Sequence, residues 1–198
     1  LRSSINIYQY DYTQSHYPKI ESSFRENNTP IPWGALSGLS ADLNQTNTLY
    51  SVEDSFYQSN RIFSINTAQS PARITKEITI KDTNDVLANV AHVELVNSSA
   101  ESDDVTRINV FDSTDLSAML NDDKSVNIDP EGIAKAADGS FWIASEGYGT
   151  VGDSKRPINS LNFLFNTNSD GVITKVVTLP EEINNQQLRF GFEGVAEY

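Results

Sequence analysis

Short apolar runs rich in Ile, Val, Phe, Tyr and Thr recur along the chain, and Gly, Pro, Asn and Asp residues separate them. Runs of this length and composition, bounded by turn residues, are typical of β-strands. They form two successive units of four runs each, and four antiparallel strands per repeat is typical of a β-propeller blade. The first unit comprises Ser37–Ser40, Leu49–Asp54, Arg61–Ile65 and Arg73–Asp82, and the second comprises Glu131–Ala134, Phe141–Glu146, Leu161–Phe165 and Val172–Glu181.

A third unit begins at Phe192–Ala196. Two units and a start are fewer than the roughly four to eight blades that close a propeller. The predicted fold is therefore all-β, a partial β-propeller of about two four-stranded blades plus the start of a third. We expect residues 1–198 to be a single propeller domain truncated at its C-terminus, with either an oligomer or a missing C-terminal half completing the ring.

The remaining segments are less regular. Residues 1–32 are interpreted as an N-terminal strand at Ile5–Tyr12 followed by a polar, proline-containing loop over residues 13–32. Residues 83–128 are interpreted as an insertion between the two blades. Within the insertion, the pattern predicts a strand over residues 86–96, a polar loop over Asn97–Asp104 and a short helix over Ser113–Leu120.

Composition narrows the chemistry. The chain of 198 residues has a net charge of −13 and no cysteine, which excludes disulfides, thiolate metal sites and a cysteine nucleophile. The negative charge disfavours nucleic acids and anionic membranes and favours cations, Ca²⁺ above all, because carboxylate oxygens are its usual ligands. No stretch approaches the ~20 apolar residues of a membrane span, so no membrane insertion is predicted. The two histidines, His16 and His92, lack metal-binding neighbours at useful spacing.

Acidic residues stand at the ends of the predicted strands. Asp138-Gly139 predicts a two-residue hairpin turn, and in that register Glu131 lies directly opposite Glu146. Directly opposed residues have Cβ atoms about 4.5–5.5 Å apart. Two ionised carboxylates at that separation repel each other, so the pair requires a cation, a shared proton or full exposure to water.

The repeat extends this feature. Glu53 and Asp54 stand at the same end of the first hairpin, and Glu193 takes the place of Glu131 in the third unit. Strand ends of successive blades gather at one mouth of a propeller, so we predict a metal-binding group there; exposed acids that serve only solubility are the alternative. We call this predicted group the acidic rim, and it comprises Glu53, Asp54, Asp129, Glu131, Glu146 and Glu193.

Basic residues lie close to these acids in the sequence. Lys155 and Arg156 follow a Gly-rich loop over residues 147–152, and Arg189 stands near Glu193. Their cations would suit the oxygens of a phosphate group. Solvated surface charge is the alternative interpretation.

Three segments of the chain resemble the phytase-like family described as "esterase-like activity of phytase". Trp33–Ser40 resembles its opening, Asp129–Ile133 with Asp138–Gly147 resembles its D-P-E-G-I and D-G-x-x-W-x-x-S-E segments, and Leu179–Pro180 with Arg189–Ala196 resembles its L-P and G-F-E-G-L-A segments. The order agrees from about residue 33 to the end. One departure is that the family's Asn before Gly-Phe-Glu is Phe190 here.

The resemblance implies a β-propeller in a bacterial exported protein, either periplasmic or secreted, and a hydrolase activity on small phosphate esters centred on acidic residues. We expect no signal peptide within this chain, because its start lacks the basic and then apolar pattern. The resulting hypothesis is a calcium-assisted phosphoester hydrolase with Glu131, Glu146 and Glu193 as catalytic residues. A non-catalytic, calcium-stabilised binding or scaffold propeller and a lactonase-like propeller hydrolase are the alternatives.

Overall fold

The computed structural model describes residues 19–90, 93–96, 108–151, 153, 155–186 and 188–197. The predicted strand Ile5–Tyr12, the predicted loop Asn97–Asp104 and both histidines lie outside these residues.

The first predicted unit forms one antiparallel sheet of four strands, with a fifth strand at its outer edge. The fifth strand pairs in parallel with the last strand of the unit. The prediction of a loop over residues 13–32 is therefore wrong at residues 20–22, because a segment with a single apolar residue carries too little pattern to be recognised as a strand. The strands are β1 (Ile20–Ser22), β2 (Leu36–Ala41), β3 (Thr48–Glu53), β4 (Arg61–Asn66) and β5 (Ala72–Thr79), in the spatial order β1-β5-β4-β3-β2.

Residues 83–128 contain a 3-10 helix at Val86–Val90, strands β6 (Val93–Val96) and β7 (Ile108–Phe111), which pair with each other, and helix α1 (Ser113–Met119). The predicted strand over residues 86–96 is correct only for β6. The Asp82 carboxylate accepts hydrogen bonds from the backbone N–H groups of Val86 (2.8 Å) and Leu87 (2.9 Å), which favours a helical turn there.

The predicted helix is confirmed as α1. Its N-cap is Asp112, whose carboxylate accepts from the Thr114 N–H at 2.7 Å, while the Asp115 carboxylate accepts from the Asp112 N–H at 3.0 Å. This reciprocal capping box satisfies donors that the helix itself leaves open. Within the described part of the chain, no helix is long and apolar enough to span a bilayer.

The second predicted unit forms a four-stranded antiparallel sheet. A single-turn helix, α2 (Glu181–Asn184), follows it. The third strand begins two residues later than predicted. The strands are β8 (Pro130–Lys135), β9 (Phe141–Ser145), β10 (Phe163–Thr167) and β11 (Ile173–Thr178), in the spatial order β11-β10-β9-β8.

The two sheets pack against each other through buried apolar side chains. Val52 and Ile62 of the first sheet join Ile133, Phe141 and Phe163 of the second in one core. These residues are at most 3% exposed, so the contact between the sheets is shielded from solvent like a domain interior.

Three glycines at repeat-related positions bring together the first strand of each sheet and the segment around Gly194, where the third unit begins. A Cβ atom added to Gly38 would lie 2.9 Å from the Gly132 Cα, and one added to Gly132 would lie 2.6 Å from the Gly194 Cα. These approaches leave no room for a side chain, so the strands touch backbone to backbone at this level. The predicted fold class is confirmed: the chain is mostly β, with two propeller blades, the start of a third and a short helical segment.

Candidate metal centre

The hairpin between β8 and β9 has a three-residue loop, Ala137–Gly139. The Ala136 N–H donates to the Ser140 carbonyl (2.9 Å), and Gly139 adopts a φ of +93°. Asp138 stabilises this longer loop, because its Oδ1 accepts from the Ser140 N–H at 2.8 Å.

This loop changes the register of the hairpin. Pro130 pairs with Ser145 and Gly132 pairs with Ala144, so Glu131 is the extra residue of a bulge. The predicted direct pairing of Glu131 with Glu146 is therefore wrong. A bulge redirects the side chain it carries, and here the Glu131 carboxylate lies within 4.8 Å of that of Asp54 in the neighbouring blade.

Asp54 and Glu146 occupy the same position in their blades. The Asp54 N–H donates to the Ala35 carbonyl (2.9 Å), and the Glu146 N–H donates to the Asp129 carbonyl (3.0 Å). Each residue therefore follows the second strand and is tied to the residue that precedes the first strand. The sequence repeat thus brings acids of different blades to one end of the molecule.

Three carboxylates form a close group, which we call the three-carboxylate cluster: Asp54, Asp129 and Glu131. Each is partly buried and offers one oxygen, and these oxygens lie within 4.8 Å of one another. Asp129 Oδ1 is buried and has no hydrogen-bond partner among the described residues. Carboxylate oxygens at this spacing are a donor set that suits a hard divalent cation, so the cluster can hold a metal ion.

Burial and the crowding of negative charge raise the pKa values of two carboxyl groups in the cluster. Burial raises the pKa of Asp129 to about 7, helped next by a hydrogen bond with Asp54 and by the charges of Asp54, Glu146 and Glu131. Burial also raises the pKa of Glu131, followed by the charges of Asp54, Glu146 and Glu193, while the hydrogen bond from Ser37 opposes the rise. A bound cation would remove this repulsion. In the absence of a cation, a proton shared between carboxylates reduces it.

Glu146 and Glu193 flank the cluster. Both are close enough for their charges to raise the pKa of Glu131. Glu146 Oε2 accepts a 2.6 Å hydrogen bond from the Phe190 N–H, which fixes one of its oxygens, and Glu193 is exposed. These two predicted rim residues therefore lie beside the three carboxylates.

Glu53 is not brought to this group. Its side chain is fully buried, and both of its oxygens are bound by Arg61, at 2.6 and 2.8 Å. Arg61 also binds Glu77 at 2.6 Å. Adjacent positions in extended backbone point to opposite faces, so Asp54 and Glu53 cannot both reach the same mouth.

Two of the three predicted basic residues share a cavity. Arg156 and Arg189 line a space of about 380 Å³ together with Phe190, whose ring lies 5.0 Å from the Arg189 guanidinium carbon. The Phe190 N–H is the donor to Glu146, so this cavity adjoins the acidic residues. Lys155 is exposed and is not among the described residues that line the cavity.

Two buried asparagines were missed from the sequence. Asn60 and Asn162 stand immediately before β4 and β10 and are 1% and 0% exposed. The sequence interpretation matched Arg61–Ile65 with Leu161–Phe165, which is two residues out of register and hides their correspondence. An asparagine directly before the third strand of both units is the signal that identifies them.

A family model described as Phytase-like, "Esterase-like activity of phytase", matches residues 31–198. The chain belongs to this family. The match covers all three segments on which the resemblance rested, and it agrees with a hydrolase-like propeller whose relatives are typically metal-dependent. No curated protein and no solved structure matches this phytase-like chain significantly.

Proposed function

We propose that this phytase-like protein is a calcium-assisted hydrolase of small phosphate esters, with the three-carboxylate cluster as its metal site. The observation that supports the proposal is the convergence of Asp54, Asp129 and Glu131 within 4.8 Å, with one Asp129 oxygen buried and lacking a partner among the described residues. A buried, unpaired carboxylate oxygen is unfavourable in the isolated protein and becomes favourable once a cation is bound.

Bound there, Ca²⁺ would neutralise substrate phosphate and polarise a water molecule. The chain's own residues supply the rest. Glu131, as a carboxylate of the cluster, is suited to accept a proton from attacking water, and Glu146 and Glu193 are the neighbouring candidates for the same role. Arg156 and Arg189 would bind phosphate oxygens in the adjoining cavity, with Lys155 at the exposed side. A protein of net charge −13 needs such local positive charge to attract an anionic ester.

The cellular setting belongs to the same proposal. The family resemblance favours an exported protein of a bacterial envelope, either periplasmic or secreted. Further repeats or additional copies of the chain would complete the ring around the cluster.

Calcium binding is the first test. We expect Ca²⁺ at about one hundred times its dissociation constant to stabilise the metal-free protein by about 2.7 kcal/mol, and hence to raise Tm by roughly 5–10 °C. Asp129→Asn and Glu131→Gln should lose most of this increase. Asp170→Asn, a matched charge removal in an exposed turn, should keep it. Equal stabilisation of all four proteins, or none of the wild type, would contradict the metal assignment.

Hydrolysis is the second test. A chromogenic phosphodiester and phytate would be assayed with Ca²⁺ and with EDTA. Replacing Arg156 and Arg189 by Ala should raise KM more than it lowers kcat, because these side chains bind the ester and do not transfer protons. Calcium stabilisation without turnover would favour the scaffold alternative, and turnover of lactones in place of phosphate esters would favour the lactonase-like alternative.

A further inference from the structure

Asn60 connects the backbone beside two members of the three-carboxylate cluster. Its side-chain Oδ1 accepts a 2.7 Å hydrogen bond from the Ile128 N–H, and its Nδ2 donates to the Glu53 carbonyl at 3.4 Å. Ile128 directly precedes Asp129, and Glu53 directly precedes Asp54. A single buried amide thus holds the main chain next to one carboxylate in each of two successive blades.

Asn162 does the same one blade further on. Its Oδ1 accepts from the Gly147 N–H at 3.1 Å and from the Phe192 N–H at 3.3 Å. Gly147 follows Glu146, and Phe192 precedes Glu193. The two flanking acids are therefore tied together through the asparagine of the second blade.

The strand register shows that these asparagines are equivalent. Val52 pairs with Ile62, and Ser145 pairs with Phe163. Continued to the strand ends, these pairings put Asn60 across from Asp54 and Asn162 across from Glu146. An asparagine thus occupies the same position in both blades, opposite the acid that follows the second strand.

Both asparagines are themselves held rigidly. The Asn60 N–H donates to the Val126 carbonyl (3.0 Å), and its carbonyl accepts from the Ile80 N–H (2.9 Å). The Asn162 amide bonds to the buried Asn184 side chain at 3.2 Å, and a Cβ added to Gly191 would lie only 1.9 Å from Asn162 Oδ1. Hydrogen bonds therefore fix both asparagines, and the chain at Gly191 packs directly on the Asn162 side chain.

We propose that Asn60 and Asn162 are positioning residues that set the spacing of the acids across each junction between blades. The proposal rests on the proposed function in one respect, since the spacing matters for a cation that the cluster would bind. Asn60 governs the separation of Asp54 and Asp129, and Asn162 governs that of Glu146 and Glu193. Neither asparagine contacts the cation or the substrate.

Calcium affinity separates positioning from simple stabilisation. In Asn60→Ala and the milder Asn60→Ser, the Ca²⁺ dissociation constant measured calorimetrically on the folded protein should rise by about 10–100-fold, the range for residues that orient metal ligands. The control is Ile74→Ala, which opens a cavity at a fully buried residue of β5. It should lower the Tm of the metal-free protein while leaving the dissociation constant within about twofold, because Ile74 lies in a separate core cluster from Ile80, Val126 and Ile128, which surround Asn60. Unchanged affinity in both Asn60 variants would overturn the proposal.

Crystal structures of the metal-free wild type and Asn60→Ser give a second test, the separation of the carboxylate oxygens, which does not depend on calcium. The closest oxygens of Asp54 and Asp129, which lie within 4.8 Å of each other in the wild type, should move apart in Asn60→Ser, and an unchanged separation would refute the positioning role. If the wild type binds no Ca²⁺, the proposed function fails, and the carboxylate separation alone then decides whether Asn60 positions the acids. Asn162→Ala should leave that separation unchanged.

Discussion

Raising the pH of the metal-free protein should destabilise it through Asp129. The pKa of this carboxyl is raised from 3.8 to about 7, first by burial and then by Asp54 and the neighbouring charges. The native state therefore holds a proton that the unfolded chain has already released at the same pH. The stabilisation is fully present below about pH 4 and is lost as the pH rises through about 7, because stability falls wherever the native state binds more protons.

The magnitude follows from the size of the pKa change. A rise from 3.8 to about 7 corresponds to roughly 4 kcal/mol for a fully buried group, at about 1.4 kcal/mol per pKa unit. Titration of Asp129 between about pH 5 and pH 8 accounts for roughly two thirds of this free energy. Asp129 is only partly buried, so screening by solvent reduces the expected loss to about 1.5 kcal/mol. For a chain of 198 residues this lowers Tm by roughly 3–6 °C.

Thermal melts in EDTA at several pH values between 5 and 8 would measure this loss. Asp129→Asn removes the titrating group and gives an amide that can donate to the Asp54 carboxylate, so its Tm should fall less across the same range. Asp170→Asn, in an exposed turn, should follow the wild type. The reasoning would be refuted by a wild-type Tm that is constant or rises with pH, or by a parallel fall in Asp129→Asn. Saturating Ca²⁺ should suppress the wild-type loss.

Two further substitutions test the contacts that hold the blades. Gly132→Ala should destabilise the protein by about 3 kcal/mol in urea unfolding, because the new Cβ would lie 2.6 Å from the Gly194 backbone. Gly194→Ala is the control: its Cβ would have no described atom within 4 Å, so its stability should stay within about 0.5 kcal/mol of the wild type. Arg61→Met should destabilise the protein by about 3–5 kcal/mol, because it leaves the fully buried Glu53 carboxylate without its bidentate partner. Combining it with Glu53→Gln should recover part of that loss, and additive effects of the two substitutions would contradict the coupling.

The blades were predictable from sequence because most of their strands are short runs rich in β-branched and aromatic residues, bounded by turn residues and repeated in two units. β1 was missed because three residues with one apolar side chain carry no period, and it is held by pairing with β5, a contact distant in sequence. The predicted strand at residues 86–96 failed at its start because the Asp82 carboxylate caps a helical turn there, which apolar content does not reveal.

The repeat predicted most of the acids that lie near one another, but it did not predict their geometry. The repeat correctly linked Asp54 with Glu146, because both follow the second strand of a unit. The pairing of Glu131 failed because the loop Ala137–Gly139 has one residue more than predicted, which shifts the register, and because Glu131 itself lies in a bulge. Glu53 was misplaced because its neighbour Asp54 carries the same charge, and only the folded structure shows Arg61 on the opposite face.

The contact between glycines has a consequence for how such proteins can vary in length. Gly132 follows Gly38 by 94 positions and Gly194 follows Gly132 by 62, yet both intervals end in the same backbone contact. Because no side chain takes part in this backbone contact, the contact itself does not fix the number of residues between the glycines. Segments of different length, such as the one that contains residues 83–128, can therefore connect the blades while the inner strands keep the same backbone contact. Grafting loops into the outer edge of a blade should accordingly be far better tolerated than any change at the inner strands.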